Sequence, residues 1–239
     1  MLPWLALNAV LLLLAYLLGS LPSGYWAGRW LKGIDIREHG SKSTGATNVL
    51  RTVGKVPAII VLLVDILKGV AAIALTAAVY RSPQLLPLVP AGVDSAQWMP
   101  WVVTLAGAMA LLGHSKSIWL NFTGGKSVAT SLGILLAMSW VVGLGTLGVF
   151  LAMLGITRIV SISSISGAIA VSGFMIGTGQ PLPYILFGLL GGIYVIVRHR
   201  TNIQRLLAGT EPRLGQAVPA APPSDADVLP DSDAPTPST

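Results

Sequence analysis

Long apolar runs separated by short polar segments make up most of this chain. An α-helix needs about 20 mainly apolar residues to cross a bilayer, and the first two runs exceed that length. Several later runs are shorter, so five or six crossings would also fit the pattern. Our best count is seven, with runs at 4–30, 56–80, 98–113, 128–139, 140–157, 162–178 and 184–197. The pattern therefore predicts an all-α, polytopic integral membrane helical bundle of about seven transmembrane helices.

Composition supports a membrane protein followed by a polar tail. Of 239 residues, 53% are hydrophobic and 10% charged, and the mean hydropathy is +0.75, which is too apolar for a soluble domain. The chain has no cysteine, which excludes disulfides, zinc–thiolate sites and thiol nucleophiles. Pro, Ala, Asp and Ser then become frequent near the C-terminus. We expect a transmembrane domain at 1–213 and a disordered tail at 214–239 that is dispensable for activity.

The basic residues are distributed asymmetrically between the predicted spans. With seven spans, the opposite side of the membrane carries Arg81 alone. By the positive-inside rule the basic side is cytoplasmic, so the N-terminus faces outward. The residues that follow spans one, three, five and seven are Arg29, Lys32, Arg37, Lys42, Arg51, Lys55, Lys116, Lys126, Arg158, Arg198, Arg200, Arg205 and Arg213.

A polar, glycine-rich segment at 40–48, closed by Arg51, follows the first run. Its Gly, Ser and Thr residues allow backbone N–H groups to converge on one oxygen cluster, while Lys42 and Arg51 add positive charge. A solvated loop is the alternative. Upstream, the Pro- and Gly-containing stretch 19–24 predicts a kink near the end of the first span.

A second polar segment follows the third run and contains His114, Gly124, Gly125 and Lys126. Lys126 stands where a helix begins, so an anion there would meet a cation and free N–H groups together. The segment is not a nucleotide-binding P-loop, because Leu120 stands where the motif needs glycine and no strand precedes it.

Two further polar segments follow the fifth and seventh runs. Around Arg158 the first has hydroxyls at Ser161, Ser163 and Ser164, which could equally pack between helices. Around Arg198 the second is a basic cluster that could contact anionic lipid. Its His199 and Asn202 stand three apart and share a face if the helix continues.

Two charged residues, Asp65 and Lys68, fall inside the second run. Charges are costly in hydrocarbon unless they are paired, so we expect these two to pair and to support the site or form its rim.

These motifs, in this order and over residues 10–212, resemble the bacterial membrane glycerol-3-phosphate acyltransferases of the PlsY type, which use acyl phosphate as donor. The resemblance implies a seven-span inner-membrane enzyme with its site facing the cytoplasm. It acylates the 1-hydroxyl of glycerol 3-phosphate to lysophosphatidic acid and releases phosphate, the first acylation of phospholipid synthesis. The motifs are Gly19-Ser-Leu-Pro, Asp35-Ile-Arg37, Gly40-Ser41 with Gly45-Ala-Thr-Asn48 and Arg51, Asp65-Ile-Leu-Lys68-Gly69, Gly113-His114, Gly124-Gly-Lys126 with Val128-Ala-Thr130, Val160-Ser161, and His199-Arg-Thr-Asn202-Ile with Arg205-Leu-Leu.

The resemblance also implies the site residues. The positions that would act in catalysis are Ser41, Arg51, Lys126 and His199, and those that would bind substrate are Gly40, Gly45, Thr47, Asn48, His114, Gly124, Gly125, Ser161 and Asn202. The sequence departs from the family pattern at three places in these loops. Lys42 and Ser127 replace glycines of the family pattern, and Lys116-Ser117 replaces an aromatic–proline pair.

The substrates that the resemblance implies indicate how the acyl transfer would proceed. Acyl phosphate is already activated, so no acyl-enzyme is needed, and positioning with charge neutralisation should dominate. Phosphate itself could accept the hydroxyl proton; His114 and His199 are the alternatives, and we expect His199 to bind rather than act as base. No acyltransferase His–Asp dyad is present, since position +5 after each histidine is Thr44, Trp119 or Gln204.

A transporter for an organic phosphate or other anion is the alternative class, because broken helices around a cationic pocket would look similar. Against it, no convincing repeat is visible and the polar motifs sit on one face. We expect no cofactor, metal or nucleic-acid partner; membrane lipid is a partner, and the oligomeric state stays open.

Overall fold

The computed structural model describes residues 1–216, and the secondary structure in that range is helical. The α-helices are α1 Leu2–Ser20, α2 Ser23–Lys32, α3 Ala46–Thr52, α4 Lys55–Arg81, α5 Ser95–Ser115, α6 Val128–Met138, α7 Trp140–Thr157, α8 Val160–Gly177, α9 Leu182–Arg198 and α10 Arg200–Leu207. Short 3₁₀ turns cover Pro83–Leu88 and Ile118–Leu120. Most of the tail expected at 214–239 lies outside the described residues.

All seven apolar runs are helical, and the all-α membrane class is confirmed. By length and composition, however, five helices of the described range can cross a membrane, or six if the bent pair α9–α10 is one span. The predicted count of seven is not confirmed, because α6 has 11 residues and spans only about 16 Å. The kink expected in the stretch 19–24 is confirmed, since α1 ends at Ser20 and α2 begins at Ser23.

Glycines bring the central helices into close contact. A Cβ added at Gly19 of α1 would lie 2.1 Å from the carbonyl oxygen of Ala110 on α5. The same holds between α4 and α6, where a Cβ at Gly133 would lie 2.0 Å from the carbonyl oxygen of Ile66. In lipid, such close backbone approach replaces the hydrophobic effect as the source of helix association. These contacts surround a buried apolar core that includes Ile73 and Ile134.

A buried ion pair connects three elements at one end of this core. In α4, the Lys68 Nζ lies 2.8 Å from the Asp65 Oδ1, which confirms the predicted pairing. The Ser23 hydroxyl at the start of α2 donates to the same oxygen at 2.7 Å. Lys68 also donates to the carbonyl oxygen of Leu21 at 3.0 Å, and His114 Nδ1 on α5 lies 3.6 Å from Asp65. The pair therefore fixes the break between α1 and α2 against α4 and α5.

Replacing Asp65 with leucine should lower the free energy of unfolding by about 3–5 kcal/mol, because it leaves the Lys68 ammonium buried without a counter-ion. Thermal and denaturant unfolding of the detergent-purified protein would measure the loss. The double variant Asp65→Leu with Lys68→Met should recover most of it, since both charges are then gone. Equal loss in the single and double variants would contradict the ion-pair explanation.

Candidate active site

One cavity of about 550 Å³ opens where the four polar segments meet. Of the predicted site residues, Gly40, Gly124 and Gly125 do not line it. The ten that do are Ser41, Gly45, Thr47, Asn48, Arg51, His114, Lys126, Ser161, His199 and Asn202. Segments far apart in the sequence therefore build one polar end of the cavity.

Asn48 organises the first polar loop. Its side-chain amide donates to the carbonyl oxygens of Ile36, His39 and Ser43 at 3.1, 3.0 and 2.8 Å. Its Oδ1 accepts from the Ser41 N–H at 2.9 Å. The side chain is fully buried, so Asn48 holds the loop in shape and has no unused donor for a substrate.

Gly40, Lys42 and Ser127 take left-handed backbone conformations. At Gly40, with φ of 56°, an added Cβ would lie 2.4 Å from the Asn48 Oδ1, so the glycine permits the Asn48 contact. Lys42 and Ser127 have φ of 55° and 63°. Both stand where the family pattern has glycine, and both take the left-handed conformation that favours glycine.

The two adjacent glycines of the second segment fit around His114. An added Cβ would lie 2.3 Å from the His114 carbonyl oxygen at Gly124 and 2.2 Å from its Nε2 at Gly125. The Gly125 N–H donates to that carbonyl at 3.2 Å. Arg198 donates to the carbonyl oxygens of Gly124 and Gly125 at 3.3 and 3.0 Å. Close packing around His114 therefore explains the two glycines, and the N–H of Gly125 is not available to a phosphate.

Two cations line the polar end. Lys126 comes just before α6 and donates to Asn202 Oδ1. Burial, with help from nearby arginines and against the attraction of Glu211, lowers the pKa of Lys126 to about 8. Burial also lowers the pKa of the half-buried Arg51, whose guanidinium donates to the Pro212 carbonyl at 3.4 Å. Both groups are partly desolvated, so an anion entering the cavity would interact with them more strongly than in water.

Glu211 is a cavity residue that the sequence interpretation missed. Its carboxylate accepts from Ser161 at 2.8 Å, Asn202 at 2.6 Å and Arg205 at 2.7 Å. Burial raises its pKa, but these hydrogen bonds outweigh burial and hold the pKa below its ordinary value. A signal was present, because Glu211 is the single acid between Asp94 and Asp225 and lies within a basic segment.

His199 stands at the bend between α9 and α10, which is 59°. His199 and Asn202 therefore do not share one continuous helix, although both line the same cavity. His199 Nδ1 lies 2.7 Å from the Val195 carbonyl oxygen. Because a carbonyl only accepts, Nδ1 carries the proton, and Nε2 of the neutral ring is an acceptor.

The rest of the cavity is an apolar shaft between α6, α7, α8 and α9. Along α8 it extends from Ser161 to Val171, which is about 15 Å at the rise of an α-helix. A polar, cationic end joined to such a shaft fits an amphiphile with an anionic head and a long apolar tail. The shaft residues are Leu132, Leu135, Leu147, Phe150, Leu151, Gly167, Ala168, Val171, Phe187, Gly188, Gly191, Gly192 and Val195.

Comparison with known proteins gives concordant results. A model of the glycerol-3-phosphate acyltransferase family matches residues 9–209. The glycerol-3-phosphate acyltransferase of Trichodesmium erythraeum is 61% identical over 220 residues, covering 91% of this chain and 96% of the relative. The one from a Nostoc species is 64% identical over 215 residues, covering 90% and 95%.

Two solved structures match the fold. The crystal structure of PlsY (YgiH), an integral membrane glycerol 3-phosphate acyltransferase, in its glycerol 3-phosphate form has a TM-score of 0.73 and 34% identity. The match covers 87% of this chain and 96% of that one. Its lysophosphatidic acid form matches with a TM-score of 0.73 and 35% identity, covering 87% and 95%.

Replacing Lys42 with glycine should raise the free energy of unfolding by about 0.5–1 kcal/mol, because glycine takes φ > 0 without strain. Thermal unfolding in detergent would measure the gain. Lys116 is also an exposed lysine, with φ of −134°, so Lys116→Gly is the matched control and should bring no gain. A similar rise in both variants would rule out relief of left-handed strain as the cause.

Proposed function

The chain belongs to the glycerol-3-phosphate acyltransferase family, and we propose that it transfers an acyl group from acyl phosphate to the 1-hydroxyl of sn-glycerol 3-phosphate. The hydroxyl oxygen attacks the acyl carbon, the bond from that carbon to the phosphate oxygen breaks, and lysophosphatidic acid and inorganic phosphate leave. The observation that carries this proposal is the single cavity that joins a cationic polar end to an apolar shaft.

The polar end supplies partners for two phosphates. Arg51 belongs to the first polar segment and Lys126 to the second, so each can neutralise phosphate charge from a different wall. The hydroxyls of Ser41, Thr47 and Ser161 also line the cavity and can hydrogen-bond to phosphate oxygens. Holding hydroxyl and acyl carbon together in this way lowers the barrier mainly by positioning and charge stabilisation.

The proton of the attacking hydroxyl goes to phosphate in this proposal. A phosphate monoester has a second pKa near 6 and can accept a proton at neutral pH. His199 Nε2 is an acceptor when Nδ1 is bonded to Val195, so it can orient the hydroxyl without retaining the proton. His199 is accordingly a binding residue in this scheme.

The site facing the cytoplasm of a bacterial inner membrane is part of the proposal. It is supported by the basic residues beside the cavity, among them Arg51, Lys126, Arg198 and Arg205, because positive charge accumulates on the cytoplasmic side.

Purified protein in lipid, supplied with acyl phosphate and glycerol 3-phosphate, should form lysophosphatidic acid and release phosphate in equal amounts. Phosphate release and product would be measured together by colorimetry and mass spectrometry. The Arg51→Ala variant should lose at least about tenfold in kcat/KM, the effect of removing one charge-assisted phosphate contact. Absence of both products from the wild-type protein would instead favour the transporter for an organic phosphate.

Replacing His199 with glutamine should raise the KM for glycerol 3-phosphate about tenfold and change kcat much less, because a lost binding contact costs about 1–1.5 kcal/mol. Steady-state kinetics with the donor saturating would separate the two constants. An unchanged substrate affinity with a large fall in turnover would identify His199 as the base and contradict this assignment.

The pH dependence of kcat/KM should show an alkaline limb from Lys126. Its ammonium is charged below a pKa of about 8 and loses its charge as the pH rises through that value, so phosphate binding weakens. Lys126→Arg should remove the limb from this range, because guanidinium stays protonated. Lys116→Arg, which changes an exposed lysine outside the cavity lining, should leave the limb in place. A limb that persists in Lys126→Arg would assign it to another group.

A further inference from the structure

We propose that the length of the acyl chain is set by Gly167 and Gly191, which keep the shaft open, and by the floor that Val171 and Phe187 form beneath them. The inference rests on the proposed function, since it assigns the shaft to the acyl chain of the donor and product. The two glycines and the floor decide between short and long substrates.

The two glycines lie at nearly the same depth in the shaft. Gly167 is six residues along α8 from Ser161 at the polar end, about 9 Å at the helical rise. Gly191 is seven residues along α9 from Arg198, about 10 Å. Both line the cavity, and α8 and α9 are neighbours in the bundle. An acyl chain that fills the cavity to this depth therefore passes both positions.

Helix packing does not require either glycine. An added Cβ at Gly167 would lie 3.4 Å from Thr146 Cγ2, and one at Gly191 would lie 3.8 Å from Leu111 Cδ1, both ordinary contact distances. Gly192, by contrast, is needed for close helix approach, since a Cβ there would lie 2.5 Å from the Ala168 carbonyl oxygen. Glycine weakens a helix interior, so its presence at Gly167 and Gly191 calls for another reason. The space that it leaves in the shaft supplies one.

The floor is part of the close-packed core. Val171 and Phe187 line the cavity, are almost fully buried, and belong to the same apolar cluster as Met175. They lie about 15 Å from the polar end, measured along α8 and α9. Below them the side chains interdigitate at core density, so a chain that reaches this depth can extend no further without repacking the bundle.

The test compares hexanoyl phosphate with dodecanoyl phosphate, whose extended chain fits above the floor, in Gly167→Leu. The leucine fills the shaft below about 9 Å. Each methylene that loses its apolar contact costs about fourfold in binding, so kcat/KM for dodecanoyl phosphate should fall at least about tenfold. The value for hexanoyl phosphate should stay within about twofold of the wild type. Gly191→Val, at the same depth on the other helix, should shift the ratio in the same direction.

Gly173→Leu is the matched control, because it places the same side chain on the same helix. Gly173 is exposed, lies outside the cavity lining, and an added Cβ meets nothing within 4 Å. Its chain-length ratio should equal that of the wild type. Equal loss with both donors in Gly167→Leu and Gly191→Val, or an unchanged ratio in both, would overturn the inference.

A binding measurement separates this inference from the proposed function. Hexanoyl and dodecanoyl lysophosphatidic acid are titrated, and the rise in the thermal unfolding midpoint is recorded without turnover. Loss of the long-chain advantage in Gly167→Leu supports the inference even if the wild-type protein releases no phosphate, a result that would defeat the proposed function alone. A long-chain advantage that persists in both shaft variants overturns the inference whatever the activity.

Discussion

The carboxylate of Asp65 is almost completely buried in the bundle, so a charge there needs partners from the protein. They come from three elements, because Lys68 lies 2.8 Å away on α4, Ser23 donates from the start of α2, and His114 approaches from α5. Asp65 and His114 also line the cavity. The same interaction that holds the helices together therefore builds the back wall of the site, and the packing of Gly125 against His114 depends on it.

The charged groups at the polar end of the cavity also find their partners within the protein. Its cations come from the first half of the chain at Arg51 and from the second half at Lys126, while Glu211 faces them from the last described segment. The carboxylate is satisfied by Ser161, Asn202 and Arg205, and Asn202 in turn accepts from Lys126. Positive charge thus exceeds negative charge at this end of the cavity, while Glu211, Asn202 and Lys126 are joined by hydrogen bonds.

Much of this architecture could be predicted from the sequence. A bilayer imposes long apolar runs and a charge asymmetry, and both are visible in a single sequence. The pairing of Asp65 with Lys68 was predictable for the same reason, since two charges in one span have few alternatives. The number of crossings could not be predicted. The helix α6 is too short to cross the bilayer, and hydropathy alone does not distinguish it from a helix that does. Glu211 was missed because its role depends on where the chain folds back after α10, a long-range contact that leaves no periodic signal.

The glycines show that a sequence motif can identify a position of the site without identifying its role. Gly40 permits the Asn48 contact through a positive φ, and Gly125 makes room for the His114 ring. Both were predicted as substrate-binding; in the structure neither lines the cavity, and each makes room for a side chain that does. Gly167 and Gly191 drew no attention in the sequence, since isolated glycines are common in membrane helices. The space around an added Cβ distinguishes glycines at which two helices touch from glycines that leave room beside a helix, and the second kind keeps the apolar shaft of this bundle open.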